Sequence, residues 1–263
     1  MVKDKISKVY TWLIFVFLYA PILILIIYSF NASRLRGGWS GFTLKWYIDL
    51  FHNEQVLNAL YNTLIVAIVA TIASTILGTL AALGIYYSKP SLKRAALALN
   101  QIPVVNPDIV IAVSLMSLFG ILKIKLGLST MILSHIVFCT PYVLLSVYPK
   151  LNQMDQNLLE AAMDLGAKPM MALRKVVLPE ILPGIVTGML IAFTLSIDDF
   201  VISFFNTGHG ISNLGITIYS MARRGVNPSI NALSTIMFGS LLILLLIINK
   251  RSNGDRKGKL IEK

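Results

Sequence analysis

The sequence predicts an all-α integral membrane protein with six transmembrane helices, and its composition and charge pattern lead to that prediction. Of the 263 residues, 56% are hydrophobic and only 13% are charged, whereas soluble domains carry roughly a quarter charged residues. The charges cluster in short segments between long uncharged stretches, each near the roughly 20 residues that a helix needs to cross a bilayer. Helices are expected because lipid offers no hydrogen-bond partner to an open backbone.

The predominantly apolar stretches define six predicted spans, each about one bilayer thick as a helix. They cover residues 10–30, 62–87, 101–122, 126–148, 181–205 and 230–249. The first stretch is longer than the apolar core of a signal peptide, and Tyr19-Ala20-Pro21 is a poor cleavage site. We therefore expect the first span to be retained.

The distribution of basic residues predicts the orientation of the spans. An even number of spans puts both termini on one side, and most of the 23 lysines and arginines fall in segments that would then be cytoplasmic. Cytoplasmic loops of membrane proteins carry such an excess. The net charge of +11 therefore indicates membrane orientation, and nucleic-acid binding is not expected.

No arrangement of residues in the sequence is typical of an enzyme. The single cysteine, Cys139, cannot form an intramolecular disulfide, and the three histidines are scattered, which does not suit a metal site. A membrane enzyme or a non-transporting scaffold is the competing hypothesis. The enzyme reading would need a catalytic cluster near a membrane face, and the sequence offers none.

The predicted inner loop over residues 150–180 is too long for a simple connection in a helical bundle. It reads as two short helices. Asp155 can cap the first helix, and Gly166 can end it with a turn. Pro169 suits the first turn of the second helix, which Leu178-Pro179 is expected to end before the fifth span.

The first of these two helices is amphipathic. Leu158, Ala162 and Leu165 share one face at helical spacing, and Glu160 with Asp164 lies on another. This pattern suits a plain connector, an interfacial anchor, a nucleic-acid motif or a docking element for a cytoplasmic partner. The pattern alone leaves the connector and the docking element equally favoured.

The loop carries a composite motif at a characteristic spacing. Because Glu160-Ala161-Ala162 is followed by Gly166 and then by Leu178-Pro179, the chain resembles the permeases of ATP-binding cassette (ABC) importers. In that family this "EAA" loop inserts into the ATPase subunit. The resemblance implies that Glu160, Ala161, Ala162, Gly166, Leu178 and Pro179 couple this chain to an ATPase.

The same resemblance implies a type I importer (MetI-like) permease fold with a cytoplasmic coupling helix. Residues 58–249 would form the transmembrane domain, after a first helix and outer loop over 1–57 and before a basic tail over 250–263. A second homologous permease and two ATPase copies are implied as partners. The sequence has no G-x-x-x-x-G-K-[ST] motif, so ATP and Mg²⁺ are expected on the ATPase, with no cofactor on this chain.

Three carboxylates fall inside predicted spans: Asp108, Asp198 and Asp199. Each would cost about 2.5–3.5 kcal/mol at a helix centre, and no predicted span supplies a lysine or arginine as a partner. A pathway for a cationic substrate is one explanation; acids satisfied by serines, backbone or a partner chain are the other. Adjacent helical residues diverge by about 100°, so one of Asp198 and Asp199 can face a pathway while the other bonds locally.

The residues around these acids carry a more specific resemblance. Pro107-Asp108-Ile109-Val110, the Phe193–Ser196 segment before Asp198-Asp199, and Lys45-Trp46-Tyr47 are similar to polyamine permeases of the importer family. This implies a bacterial cell (inner) membrane protein that moves spermidine and putrescine by alternating access. An extracytoplasmic polyamine-binding protein would deliver the substrate.

The resemblance also implies site residues. Asp108, Asp198 and Asp199 would line the substrate pathway, and the indole of Trp46 could hold an ammonium group by cation–π attraction. For Trp46, a place in the interfacial aromatic belt is an equal alternative. For the whole chain, the alternative substrates are an amino acid or ferric iron.

Overall fold

The computed structural model describes residues 2–33, 38–155, 157–225 and 228–243. The described residues are largely helical, which confirms the predicted all-α class, and their one β feature is an isolated bridge between Asn31 and Phe42. The chain divides into two compact units, Met1–Leu57 with Thr217–Lys263, and Asn58–Ile216.

The helices of the described residues have the following bounds. In chain order they are α1 (Val2–Tyr28), α2 (Lys45–Phe51), α3 (Glu54–Tyr86), α4 (Pro90–Val105), α5 (Asp108–Ile121), α6 (Leu128–Gln153), α7 (Asn157–Asp164), α8 (Pro169–Ala172), α9 (Leu178–Ile197), α10 (Val201–Asn206), α11 (Leu214–Arg223) and α12 (Pro228–Ile243).

Four helical segments of the described residues are long and apolar enough to cross a membrane: Ser7–Tyr28, Glu54–Tyr86, Leu128–Gln153 and Pro169–Ile197. The bent pair α4 and α5 would make a fifth. The apolar α12 has fewer residues, and the last part of the predicted sixth span and the predicted tail lie outside the described residues. A multi-pass membrane protein is thus supported, but the count of six spans is not confirmed.

The predicted third span is wrong as a continuous helix, because α4 and α5 meet at an angle of 104°. Asn106 and Pro107, which separate them, are extended, with ψ angles of 143° and 139°. A proline disfavours helical geometry in the residue before it and cannot donate a backbone hydrogen bond. Asn106-Pro107 therefore ends one helix and lets Asp108 start another.

The predicted fifth span is also interrupted. Helix α9 ends at Ile197, Asp198 is its C-cap, and α10 begins only at Val201. Asp198 and Asp199 therefore lie in a helix break and not on one continuous helix.

The predicted break at Leu178-Pro179 is wrong, because Pro169–Ile197 runs as one helical segment. A π-helical turn over Leu173–Val177 precedes the proline. A proline nitrogen cannot donate to the carbonyl one turn earlier, and a π turn changes the hydrogen-bond register locally. The second helix of the loop is therefore continuous with a candidate membrane span.

Close packing of α6 against α9 depends on small residues. A Cβ on Gly184 would lie 2.9 Å from the backbone oxygen of Ser146, and one on Gly188 would lie 3.1 Å from the Cα of Val143. Gly184 and Gly188 form a Gly-x-x-x-Gly pattern, which permits such a close helix approach. Gly78 on α3 meets the Val143 side chain in the same way.

Candidate functional site

The turn of the EAA loop forms as its residues predict. The Asn157 amide donates to Oδ1 of Asp155 at 3.0 Å, so Asp155 caps the start of α7. Gly166 has a φ of +84°, a left-handed conformation that favours glycine. Pro169 occupies the first turn of α8. The predicted helix–turn–helix is confirmed up to this point.

The faces of α7 differ from the prediction. Leu159 packs against the buried core, whereas Leu158 is 40% exposed and Leu165 is 89% exposed. Leu158 and Leu165 of the predicted apolar face therefore point outwards, and Leu159 packs inwards beside the partly buried Ala162. The outward apolar side chains of this segment are Leu158, Met163, Leu165, Met170 and Met171.

The motif residues Glu160 and Ala161 are exposed on the same helix. Together with the exposed apolar side chains they form a surface that we call the loop surface, comprising Leu158, Glu160, Ala161, Met163, Leu165, Met170 and Met171. It combines large apolar groups with an acidic one and belongs to the unit Asn58–Ile216. Such a mixed apolar surface can serve as a protein-docking site.

Trp46 anchors the outer loop that follows α1. Its indole N–H donates to the Asn31 carbonyl at 2.8 Å, and its side chain is only 3% exposed. The Asn31 side-chain oxygen in turn accepts from the amide and hydroxyl of Ser40. This burial disagrees with a ring open to a cation and also with an interfacial belt residue. The pathway role of Trp46 stays a prediction.

Two of the three candidate acids are open to bind a cation. Asp108 is the first residue of α5 and is exposed. Asp198 is exposed at the end of α9. Among the described residues, neither carboxylate accepts a hydrogen bond or pairs with a basic side chain. Their place in the substrate pathway stays a prediction.

Asp199 has a different environment from its neighbour. It is 9% exposed, its Oδ1 accepts from the Ile202 amide at 3.1 Å, and its Oδ2 accepts from the Ser203 amide at 2.8 Å. The Nε2 atom of His135 lies 3.4 Å from Oδ2. This carboxylate therefore holds the first turn of α10. Such local bonding is expected from the sequence for one of the two adjacent acids, Asp198 and Asp199.

His135 is the residue that the sequence did not assign to the site. It is completely buried on α6, and its two ring nitrogens lie 2.7 Å from the Ser196 hydroxyl and 2.9 Å from the Ser203 hydroxyl. In the sequence, His135 is a single histidine within an apolar span, and such a residue is usually a hydrogen-bonded packing residue. Only the fold brings it to Asp199.

The chain matches a family of membrane transport components. The family described as "Binding-protein-dependent transport system inner membrane component" matches residues 74–253. The permease protein PotC of the Haemophilus influenzae spermidine/putrescine transport system is 38% identical over 256 residues, covering 96% of this chain and all of that protein.

Two Escherichia coli K12 proteins are similarly close. The PotC permease of the spermidine/putrescine system is 40% identical over 245 residues, covering 93% of each chain. The PotI permease of the putrescine system is 39% identical over 237 residues, covering 88% of this chain and 84% of that one.

Solved structures share the fold at lower identity. A bacterial ABC transporter that imports the acidic polysaccharide alginate matches with a TM-score of 0.72 and 16% identity, covering 96% of this chain and 94% of that one. An inward-facing MetNI methionine ABC transporter matches with a TM-score of 0.61 and 24% identity, covering 76% and 96%. At this identity these structures support the fold alone.

Proposed function

The chain belongs to the family of binding-protein-dependent transport system inner membrane components, and from this we propose that it is the polyamine permease subunit of an ABC importer. It is a transporter subunit and not an enzyme. The observation that carries the polyamine assignment is the 38–40% identity, over 88–96% of the chain, to permeases named for spermidine and putrescine.

The alternative substrates are less favoured. The neighbours named for methionine and alginate are at most 24% identical, so their substrates carry no weight for this chain. Two exposed carboxylates without a basic partner in the described residues favour a cation over an anion. A polyamine is a flexible chain of ammonium groups, and such carboxylates can replace part of its hydration as it passes.

The proposed mechanism is alternating access without covalent chemistry. The binding protein releases the polyamine at the outer face, and its ammonium groups pair in turn with the carboxylates of Asp198 and Asp108. Charge-assisted hydrogen bonds of this kind are stronger than neutral ones. The polyamine leaves on the inner side when the pathway opens there.

We propose that the loop surface is the contact with the ATPase subunit. Leu165 supports this, because an 89% exposed leucine at the tip of an ordered turn would gain apolar burial in a partner's cleft. ATP and Mg²⁺ would bind to two copies of that ATPase. Because the helix from Pro169 to Ile197 is continuous, a movement of the loop surface would be transmitted directly to a membrane span.

The full assembly would contain this chain, a second homologous permease, two ATPase copies and an extracytoplasmic polyamine-binding protein. The membrane would be the bacterial inner membrane, with both termini in the cytoplasm. The excess of basic residues in the inner segments supports this orientation.

The test is labelled spermidine uptake by this chain co-expressed with its three kinds of partner. We expect ATP-dependent uptake that unlabelled putrescine inhibits. Asp198→Asn and Asp108→Asn should each lower the uptake rate by about tenfold or more, because a hydrogen bond to a charged group contributes about 1.5–3 kcal/mol.

Asp49→Asn is the matched control, since Asp49 is an exposed acid on α2 outside the proposed pathway, and it should leave uptake unchanged. An intact complex that hydrolyses ATP in response to another substrate but ignores polyamines would overturn the substrate assignment.

A further inference from the structure

We propose that Asp199 and His135 are positioning residues, which hold the break between α9 and α10 and thereby fix the exposed carboxylate of Asp198 for the substrate. This inference rests on the proposed function, because it concerns the acid that would meet the polyamine. It assigns different tasks to two adjacent aspartates and a task to a histidine that the pathway itself does not use.

The Asp199 carboxylate is buried and already engaged by protein donors. Each oxygen accepts a backbone N–H from the first turn of α10, at 3.1 Å from Ile202 and 2.8 Å from Ser203. The second oxygen also faces His135 at 3.4 Å. A polyamine could reach it only by breaking these contacts, and a buried carboxylate without its donors is strongly destabilised.

His135 on α6 contacts the end of α9, the break and the first turn of α10. One ring nitrogen, Nε2, faces both the Ser203 hydroxyl and the Asp199 carboxylate, and Nδ1 faces the Ser196 hydroxyl at 2.7 Å. With a hydrogen on Nε2, the ring donates to the Ser203 hydroxyl at 2.9 Å with the Asp199 carboxylate 3.4 Å away, and it accepts from Ser196 at Nδ1. The ring on α6 thus ties the end of α9 to the start of α10.

A second side chain fixes the same break from the start of α11. The side-chain nitrogen of Asn213, Nδ2, donates to the Ser203 hydroxyl at 2.7 Å and to the Asp199 backbone oxygen at 3.1 Å. Its oxygen accepts the Ile216 amide at 2.8 Å, which caps α11. The side chain and the backbone of Asp199 are therefore held by different elements.

Gly215 allows the start of α11 to lie close to the backbone of the break between α9 and α10. A Cβ at Gly215 would lie 2.9 Å from the Asp199 backbone oxygen and 3.3 Å from the Cα of Phe200. Contacts under 3.0 Å to backbone require the structure to shift, so the break is packed tightly as well as hydrogen bonded.

These contacts fix the backbone from which the Asp198 carboxylate projects. On one side, the Asp198 backbone N–H donates to the Thr194 carbonyl oxygen at 3.3 Å. On the other side, the hydrogen bonds of Asp199 hold the residue that follows Asp198. The Asp198 side chain itself makes no hydrogen bond to a described residue, so its direction depends on this clamped backbone. Holding a binding group in place before the ligand arrives strengthens binding by lowering its ordering cost.

The test is a double-mutant cycle on uptake by the complete complex supplied with saturating loaded binding protein. Asp199→Asn should lower the initial rate about threefold or more in the native background, but less than about twofold further in the Asp198→Asn background, because residues that act through one another are not additive. If the losses multiply, Asp199 acts independently of Asp198, by contacting substrate or by general folding, and the inference fails.

A second measurement does not depend on transport. Asp198→Cys, made with Cys139→Ala to remove the single native cysteine, is labelled in the intact complex by a positively charged thiol reagent. Adding His135→Phe, which fills the space without a donor, should change the labelling rate about threefold or more. Adding His135→Gln, which retains an amide N–H towards Asp199, should restore the original rate.

The outcomes separate the two proposals. Native labelling rates with both His135 variants would overturn the positioning role even if the complex imports spermidine. A complex that does not import spermidine, but whose labelling follows the expected Phe and Gln pattern, would overturn the proposed substrate and leave the positioning role intact.

Discussion

At the residue scale, the environment of a side chain decides its task more than its chemistry does. Asp198 and Asp199 are identical and adjacent, yet one is exposed without a hydrogen bond to a described residue and the other is 9% exposed with three nearby donors. A carboxylate can bind a passing cation only where its oxygens are not already satisfied. The exposed acid is therefore the better candidate for the pathway.

Trp46 can be tested at the same scale. Trp46→Phe keeps an aromatic ring but removes the 2.8 Å hydrogen bond to the Asn31 carbonyl, so we expect the purified complex to lose roughly 1 kcal/mol of stability. Thermal unfolding measures this loss.

The control for Trp46 is Trp12→Phe, because the Trp12 side chain is 65% exposed on α1. This substitution should leave the midpoint of thermal unfolding unchanged. If Trp46→Phe leaves the melting temperature unchanged but reduces uptake, Trp46 contributes to transport and not to the stability of the loop.

At the element scale, prolines and glycines set where helices end and how closely they approach. Asn106-Pro107 separates two helices at 104°, whereas Pro179 is accommodated by a π turn inside one continuous segment. A proline removes the same donor in both cases, and the surrounding hydrogen-bond register decides whether the helix bends or continues.

The turn at Gly166 gives a prediction for coupling. Gly166→Val places a β-branched residue at φ +84°, which costs about 1–3 kcal/mol of strain, and we expect uptake to fall severely while the protein still inserts. Spermidine uptake and immunoblotting of membranes measure the two effects.

Gly166→Asn is the matched control for the turn, since asparagine tolerates left-handed geometry, and it should retain most of the uptake. A Gly166→Val protein with native uptake would show that the conformation of this turn is not needed for coupling.

The contact between α6 and α9 gives a prediction for stability. Gly184→Ala brings a Cβ to 2.9 Å from the backbone oxygen of Ser146, and overpacking of this kind costs about 1–3 kcal/mol. We expect a lower melting temperature of the purified complex.

Gly84→Ala on α3 is the control for packing, because no atom of the described residues outside its own stretch of helix lies within 4 Å of the added Cβ. It should be neutral or gain roughly 0.5–1 kcal/mol of stability. If the Gly184→Ala complex has the same melting temperature as the native complex, α6 and α9 adjust to the added methyl group more easily than their spacing indicates.

At the scale of the whole molecule, the surface is that of a membrane protein. Large apolar side chains lie exposed along α1, with Trp12 at 65% and Phe17 at 79%. Such surfaces are unfavourable in water and expected in lipid or against another subunit.

The number of spans is testable through the C-terminus. With the basic N-terminus in the cytoplasm, six spans put the C-terminus there too. Green fluorescent protein fused after Lys263 should then fluoresce, and alkaline phosphatase fused there should be inactive. An active phosphatase would indicate an odd number of spans, with α4 and α5 or α12 as the segment to re-examine.

The sequence by itself determined the helical membrane class, the cap at Asp155 and the turn at Gly166. These features are local: they depend on hydropathy, on a residue's own backbone preferences, or on the absence of a side chain. The relation to ABC importer permeases was also carried by short motifs that can be read directly from the residues.

Only the tertiary structure decided which aspartate is open, which leucine of α7 faces inwards, and where the predicted fifth span breaks. Asp199 is buried because His135 from α6 and Asn213 from the start of α11 reach it, although they lie far from one another along the chain. Leu159 faces inwards because a core formed by other helices receives it. Such outcomes depend on contacts between distant segments, which hydropathy and helical spacing do not encode.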